Sequence, residues 1–159
     1  MSIERVRAYF ESCGIADRIR EFPVSSATVE LAAQALGVPG ARIAKSLSFK
    51  LGERVILVVC AGDAKVDNRK YKDTFGGKAS MLTHEEAVER IGHAVGGVCP
   101  FAVNPGVEVY LDDSMKRFET VFPAAGSSNS AIEMTMEELE RYSKALKWVN
   151  VCKGWEEEA

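Results

Sequence analysis

Residues 43–61 read Ile43-Ala44-Lys45-Ser46-Leu47-Ser48-Phe49-Lys50-Leu51-Gly52-Glu53-Arg54-Val55-Ile56-Leu57-Val58-Val59-Cys60-Ala61, and this run predicts a β-hairpin at the centre of the fold. Residues 43–50 alternate along the chain, which predicts a strand with one face toward a core. Gly52 and its two neighbours predict a turn, and residues 54–61 predict the second strand of a hairpin. Because residues 55–60 have no polar side, we expect the second strand to be central in its sheet.

Lys45 is the residue of this hairpin that core packing does not explain. Alternation places it on the same face as Ile43, Leu47 and Phe49. An unpaired ammonium among apolar side chains costs several kcal/mol or more. Lys45 is therefore a candidate for holding an anionic ligand. The alternative is a strand-end lysine whose amine reaches water or pairs with an acid such as Asp63.

Helices and further strands are predicted around the hairpin. Apolar stripes predict helices over 3–13 and 29–36, each followed by glycine, and a short helix is expected over 68–74. Capping-box patterns at Thr83 and Thr135 open helices that we expect to run to about 91 and 146. Further strands are expected at 18–22, 107–111, 119–123, 131–134 and 148–152. Adjacent strands favour an α/β (α+β) fold with a mixed, curved sheet and peripheral helices over a doubly wound parallel sheet.

Length and composition predict one globular domain over residues 1–159. The chain is 47% apolar and 27% charged, and we find no linker, repeat or low-complexity stretch. No apolar run approaches the roughly 18 residues of a membrane span, and the N-terminus lacks a signal-peptide pattern. We therefore expect a soluble, cytoplasmic protein without a membrane partner. The four cysteines are too dispersed for metal or redox spacing and are expected to be reduced thiols.

Charge is unevenly distributed along the chain. The net charge of −3 argues against a general nucleic-acid binder. Residues 63–78, however, hold five bases (Lys65, Arg69, Lys70, Lys72 and Lys78) and three acids. This basic strip could contact phosphates, or it could be an ordinary solvated helix face.

Three loops are candidates for ligand binding. In 92–101, paired glycines before a proline could present backbone N–H groups to an anion or a carbonyl oxygen, or they could form a turn before an edge strand. The small residues of 124–130 could line a pocket or form a flexible hairpin loop. Residues 62–67 directly follow the predicted central strand, where ligand-binding loops are common.

Together these segments resemble the YbaK and prolyl-tRNA-synthetase editing-domain family of aminoacyl-tRNA deacylases. The resemblance spans nearly the whole chain. It rests on four blocks, in order: the lysine strand 43–47, the turn 61–67, the loop 96–101, and the Gly126-Ser127 loop before 131–134. It implies a compact α/β domain with a central, barrel-like mixed sheet. It also implies a free-standing enzyme that hydrolyses mischarged tRNA in trans.

The resemblance also implies the site. Lys45 matches the strand lysine of the family, and we expect it to contact the 3′-terminal phosphate or ribose. Backbone N–H groups at Gly96 and Gly97 are expected to stabilise the carbonyl oxygen, and water or a group of the substrate itself to attack. The remaining predicted substrate-binding residues are Asp63, Lys65, Cys99, Pro100, Phe101, Gly126, Ser127 and Ser128.

Partners and cofactors follow from the same resemblance. The expected partner is the 3′ acceptor end of an aminoacyl-tRNA, tRNA-Pro or a related tRNA carrying a small amino acid such as alanine, cysteine or serine. An aminoacyl-tRNA synthetase is a further possible partner. Two histidines and scattered acids have no ligand spacing, so neither a metal nor another cofactor is expected.

Two departures from the family and two rival functions remain. Cys99 stands where the family more often has serine, and the late glycine loop lacks the histidine that helps some members to select the amino acid. A cysteine hydrolase using Cys99 and His93 is one rival. The other is a non-catalytic module of the same fold that binds the tRNA acceptor end or a small ligand.

Overall fold

The structure is a computed structural model that describes residues 2–93 and 97–155. Within these ranges the helices are α1 (Ser2–Cys13), α2 (Val29–Leu36), α3 (Asn68–Phe75), α4 (His84–Arg90) and α5 (Met136–Ser143). The strands are β1 (Arg20–Glu21), β2 (Ile43–Leu51), β3 (Arg54–Ala61), β4 (Lys65–Val66), β5 (Glu108–Asp112), β6 (Thr120–Pro123), β7 (Ser130–Ala131), β8 (Met134–Thr135), β9 (Lys147–Val149) and β10 (Cys152–Lys153).

A six-stranded mixed sheet forms the centre of the molecule, in the order β8-β6-β2-β3-β5-β9. The pairs β2–β3 and β6–β8 are antiparallel, whereas β2–β6, β3–β5 and β5–β9 are parallel. The sheet curls into a half-barrel, with helices at its periphery. The predicted fold class is therefore confirmed.

The hairpin β2–β3 organises the core. Its register runs from Ala44 opposite Ala61 to Leu51 opposite Arg54, with the turn at the predicted glycine. Every residue of 55–61 is 5% exposed or less, as expected of a central strand. Phe10 of α1, Tyr71 of α3 and Leu139 of α5 are fully buried in the same core cluster. The curled sheet is therefore covered by helices from both halves of the chain.

Local signals set the helix ends closely. α2 ends at Gly37, which has the left-handed φ of 71° that glycine adopts at little cost. Capping boxes at Thr83 and Thr135 open α4 and α5 as predicted. α5 stops at Ser143, short of the predicted 146, because Lys144 has a φ of 56° and Leu146 N–H already donates to Val109 O.

Two predicted strands are each divided in the structure. Within 131–134, β7 pairs with β1 while β8 pairs with β6. Within 148–152, β9 belongs to the central sheet and β10 pairs with β4. The predicted strand 18–22 is only the two-residue β1, preceded by a 3-10 turn at Ala16–Arg18. Each division occurs because the chain changes its pairing partner, which local periodicity does not reveal.

In 2–93 and 97–155, no helix has both the length and the apolarity needed to cross a bilayer.

Candidate functional site

A cleft of about 270 Å³ runs along β2 and is the candidate site. Several chain segments that are distant in sequence form its walls. The lining residues are Ser26, Ala27, Thr28, Val29, Ala32, Ile43, Ala44, Lys45, Ser46, Ser48, Met81, Leu82, Thr83, His84, Ala87, Val98, Phe122, Ala124, Ser130 and Ala131. These described lining residues include one lysine and one histidine but no carboxylate. The cleft therefore suits a ligand that is neutral or anionic.

Lys45 contributes a side-chain amine to the wall of this cleft. It is partly buried, and its Nζ donates to Gly62 O at 3.4 Å. Among the described residues, no carboxylate lies within salt-bridge distance of this Nζ. An ammonium has three donors, so the single long bond to Gly62 leaves donor capacity for a ligand. The predicted candidate for anion binding thus does line a cleft.

Asp63 is occupied by a different cation. Arg117 donates to both of its carboxylate oxygens, at 2.6 and 3.0 Å. The pKa of Asp63 is lowered, first by the hydrogen bonds from Arg117 and further by the nearby charge of Lys45. Asp63 is absent from the described lining of the cleft. The structure therefore places this predicted substrate-binding residue beside Lys45 as a partner of Arg117.

Gly62 explains how α2 reaches the site. A Cβ built on Gly62 would overlap Gly40 O and would lie 2.8 Å from Val29 Cγ1. The absence of a side chain lets the backbone at Gly40, which follows α2, pack directly against the end of β3, with Val29 of α2 beside it. This contact brings Val29 to the wall of the cleft.

The segment 80–84 forms a wall that the sequence did not predict. Lys50 N–H donates to Ser80 O at 2.8 Å, and Leu82 N–H donates to Ser48 O at 3.1 Å. These bonds hold Met81 and His84 beside β2. His84 is exposed, and it also lines the cleft. No local signal identifies this, because the two bonded segments are about thirty residues apart.

The segment 22–28 is held against the loop 127–130. Phe22 N–H donates to Asn129 O at 2.8 Å, and Ser26 N–H donates to Ser128 O at 2.6 Å. Ser128 itself is exposed and is not among the described lining residues, so its backbone carbonyl is the group that helps to build the site. Ser26 and Ser130 reach the cleft from these two segments.

The two predicted glycine loops meet each other. A Cβ built on Gly97 would lie 2.8 Å from the carbonyl carbon and oxygen of Gly126 and from the Cα of Ser127. Neither Gly97, Gly126 nor Ser127 is among the described lining residues, whereas the adjacent Val98 is. The loops therefore support the site by packing backbone on backbone. Gly96, the other predicted oxyanion donor, lies outside the described residues.

Cys99, Pro100 and Phe101 follow this contact into the interior. Phe101 is fully buried, with its ring 4.9 Å from that of Phe10, and Cys99 is also fully buried. Pro100 is buried and borders a different cavity, next to Tyr9. The three side chains are packed in the interior and are absent from the described lining of the cleft, and their contact with substrate stays a prediction.

The structure does bring Cys99 and His93 together, but not as a nucleophile and base. Cys99 Sγ lies 3.7 Å from His93 Nε2, and that nitrogen lies 2.8 Å from Phe101 O. Because a carbonyl only accepts, Nε2 carries the proton and is not free to take one from the thiol. Burial raises the pKa of the Cys99 thiol to about 12 and lowers the pKa of His93. This arrangement opposes thiolate formation.

The basic strip is divided between solvent and structure. Lys65 on β4 and Arg69 on α3 are exposed. Lys70 Nζ instead donates to Cys152 O at 3.0 Å and to Asn150 Oδ1 at 3.3 Å. None of these three residues is in the described lining of the cleft. The exposed members could contact a large ligand outside it, while Lys70 joins α3 to the C-terminal strand.

Comparison with known proteins agrees with this fold. A family model described as the aminoacyl-tRNA editing domain matches residues 24–142. The uncharacterized protein YwhH of Bacillus subtilis is 55% identical over 157 residues, which cover 98% of this chain and 100% of YwhH. The proline--tRNA ligase of Bacillus subtilis is 33% identical over 90 residues, 56% of this chain but only 16% of the ligase.

A solved structure is similar over almost the whole length. It was assigned provisionally as a trans-editing enzyme for prolyl-tRNA synthetase. Its TM-score is 0.86 at 30% identity, and the match covers 96% of this chain and 98% of that one.

Proposed function

Because the chain belongs to the aminoacyl-tRNA editing domain family, we propose that it is a trans-editing hydrolase that removes a small amino acid from mischarged tRNA. The proposed substrate is tRNA-Pro, or a related tRNA, carrying alanine, cysteine or serine. The partial match to a proline--tRNA ligase and the likeness to a provisionally assigned trans-editing enzyme support the link to tRNA-Pro.

One observation carries this proposal. The Lys45 amine lines a cleft whose described wall holds no carboxylate, and its hydrogen bond to Gly62 O is long, at 3.4 Å. An aminoacyl-adenosine end offers this amine a phosphate, ribose oxygens and an ester carbonyl. Lys45 therefore binds the tRNA end in the cleft, either through the terminal phosphate or through the ribose.

Beyond this binding, the reaction requires few catalytic groups from the protein. An aminoacyl ester is already activated, so orientation and polarisation of the carbonyl supply much of the catalysis. Water, or a neighbouring group of the substrate, attacks the ester carbon. The bond from that carbon to the ribose oxygen then breaks and the ribose oxygen takes a proton. When water attacks, the amino acid leaves as its carboxylate and the second proton of the water goes to solvent. When a group of the substrate attacks, it receives the acyl group, and water then hydrolyses that intermediate to release the carboxylate. No cysteine nucleophile is required, in keeping with the buried Cys99.

All 159 residues act as one editing domain, the domain works in the cytoplasm, and its partner is the 3′ acceptor end of the tRNA. Gly96 and Gly97 orient the carbonyl region from the loop beside Val98, which lines the cleft. An association with an aminoacyl-tRNA synthetase would deliver substrate but is not needed for hydrolysis.

A panel of tRNA-Pro charged with alanine, serine, cysteine or proline tests the function. The protein should release the small wrong amino acids and spare prolyl-tRNA. Lys45→Ala should lower the rate about a hundredfold or more while the fold is kept. Lys147→Ala, which removes an exposed lysine of β9, is the matched control and should leave the rate unchanged. Tight binding of charged tRNA without release would instead identify a non-catalytic binding module.

A further inference from the structure

A directed chain of hydrogen bonds ends in the cleft at Ser130. Asn129 Nδ2 donates to Phe22 O at 3.0 Å, which turns the amide oxygen Oδ1 toward Ser127. Ser127 Oγ donates to that Oδ1 at 2.9 Å. Since each hydroxyl has one proton, Ser127 can only accept from Ser130 Oγ, which lies 2.6 Å away. Ser130 therefore donates its one hydroxyl proton to Ser127.

This direction determines what Ser130 can recognise. Ser130 is 2% exposed and lines the cleft, so its oxygen is held in place and has acceptor capacity but no proton to give. Chains of hydrogen bonds polarise one another, which makes the last oxygen a better acceptor. Ser26, on the adjoining segment, has its hydroxyl proton directed at Ser128 O, at 3.3 Å. Two hydroxyl oxygens at this end of the cleft are thus acceptors.

Because the Ser130 and Ser26 oxygens are both acceptors, the ligand group that fits them is a donor with more than one N–H. Lys45 lines the same cleft and is a donor, so it suits the carbonyl or phosphate oxygens of an aminoacyl-adenosine. Two parts of that ligand have several N–H donors, the α-amino group and the exocyclic amine of adenine. Only the α-amino group adjoins the ester carbonyl on which the proposed reaction takes place. An N-acylated amino group has only one N–H left and carries added bulk.

We propose that Ser130 binds the α-amino group of the aminoacyl ester, so that the protein accepts free aminoacyl-tRNA and rejects N-acylated aminoacyl-tRNA. Ser127 is the positioning residue, because it acts only through Ser130. The inference rests on the proposed function for the identity of the ligand. It goes further, because it excludes formylated and peptidyl-tRNA on chemical grounds.

Binding of non-hydrolysable probes tests this inference without requiring turnover. The probes are 3′-(L-alanylamino)-3′-deoxyadenosine, its N-acetyl derivative and its 2′-deoxy derivative, with Kd measured by calorimetry. The wild type should bind the free-amino probe about tenfold or more tighter than the N-acetyl probe. Ser130→Ala should weaken only the free-amino probe, so that the two Kd values converge.

Two further variants separate recognition from folding. Ser127→Ala keeps the Ser130 oxygen but frees its proton, and should reduce the preference for the free amine by a smaller factor. Ser12→Ala removes an exposed hydroxyl of α1 and should change neither Kd. If Ser130→Ala destabilises the fold, the Ser127→Ala result still decides between the outcomes.

The outcomes distinguish this inference from the proposed function. A wild type that binds both probes equally, or neither, overturns the inference even if deacylation is observed. A Ser130→Ala variant that raises the Kd of the free-amino and N-acetyl probes by the same factor also overturns the inference. So does a Ser130→Ala variant that loses only the preference for the 2′-hydroxyl probe over the 2′-deoxy probe, since that result would make the ribose hydroxyl the donor to Ser130. A preserved free-amine preference without deacylation supports the inference and counts against the hydrolase.

Discussion

Lys45 shows how one side chain can be placed for a ligand rather than for stability. Its strand neighbours Ala44 and Phe49 are buried, while its amine has one long bond to a carbonyl. A partly buried charge with so few partners costs desolvation free energy that its contacts do not fully return. Residues of this kind are commonly retained for function at some cost to stability.

Replacing Lys45 with methionine should separate these two effects. Lys45→Met keeps the length of the stem and removes the charge, so we expect the free energy of unfolding to be equal to that of the wild type or higher by up to about 1 kcal/mol. Deacylation should fall as far as in Lys45→Ala. Chemical denaturation and single-turnover hydrolysis measure the two quantities. Marked destabilisation with retained activity would show that Lys45 is a structural residue.

Gly97 is a residue for which sequence and structure suggest different effects of substitution. From the sequence alone, the small residues of the two glycine loops predict a narrow pocket, which Gly97→Ala would fill. In the structure the added Cβ would meet the backbone of Gly126 and Ser127 at 2.8 Å, and backbone cannot move aside as a flexible side chain can. The expected effect is on loop packing.

Gly97→Ala should therefore destabilise the protein by about 1–3 kcal/mol and lower the hydrolysis of all accepted substrates together. Gly77→Ala is the matched control, because its Cβ would meet only the Cδ1 end of Leu51, at 2.9 Å, which can rotate away. Thermal unfolding and the charged-tRNA panel provide the two measurements. A fully stable Gly97→Ala variant that loses its largest substrate first would restore the pocket-filling interpretation.

At the scale of elements, α5 shows how local capping and a long-range ion pair combine. Thr135 and Glu138 form the capping box, and Arg18 donates to Glu138 from more than a hundred residues away, at 2.8 and 3.1 Å. The Arg18 hydrogen bonds are the largest cause that lowers the pKa of Glu138 from its ordinary 4.5 to about 2. The start of α5 is thereby joined to the turn that precedes β1.

The stability contributed by this pair should depend on pH in a defined window. The pKa of Glu138 is lower in the folded protein than in the unfolded chain, where it is near 4.5, so its charge stabilises the fold at pH values above about 4.5. This stabilisation is lost as the pH falls toward about 2. Both side chains are about a third exposed, so we expect about 1 kcal/mol or less after solvent screening. Glu138→Gln removes the charge while glutamine can still close the capping box.

Urea titrations from pH 7 to pH 2 would measure this contribution. The deficit of Glu138→Gln relative to the wild type should be constant down to about pH 5 and should vanish near pH 2. Glu137→Gln, on the exposed first turn of the same helix, should show only a small and nearly flat difference. A Glu138→Gln deficit that persisted at pH 2 would point to packing rather than charge.

For the whole molecule, charge distribution matters more than net charge. The chain carries −3 overall, yet Lys65 and Arg69 present exposed positive charge within the basic strip. Lys70, counted with them from the sequence, is instead bonded to the C-terminal segment. Charge along the sequence therefore overstates the part of the strip that a tRNA can reach.

The double variant Lys65→Ala/Arg69→Ala should weaken tRNA binding and reduce the magnitude of the slope of log K against log salt concentration by about 1 to 2. Each phosphate contact that is lost reduces the number of counterions released on binding. Amino-acid preference should not change. Arg141→Ala/Lys147→Ala, an exposed pair on α5 and β9, is the control of equal charge. An unchanged slope in the Lys65/Arg69 variant would show that tRNA approaches by another face.

Features whose causes lie within a few residues could be predicted from the sequence. The hairpin β2–β3, the buried character of β3, both capping boxes and the glycine end of α2 were all predicted, because alternation, side-chain capping and left-handed glycine are local effects. The unusual position of Lys45 was also visible, because a charge on an apolar face breaks a local pattern.

The set of residues that share the cleft could not be predicted from the sequence, because it depends on contacts between distant segments. Ser130, His84 and Val29 reach it through pairings and close approaches between distant segments, and the one-residue step from Val98 to Cys99 separates cleft from core. Asp63 acquired Arg117 as its partner in the same way. Such placements depend on sheet pairing and on packing between remote backbones, whose free energies are set by contacts that no single stretch of sequence contains.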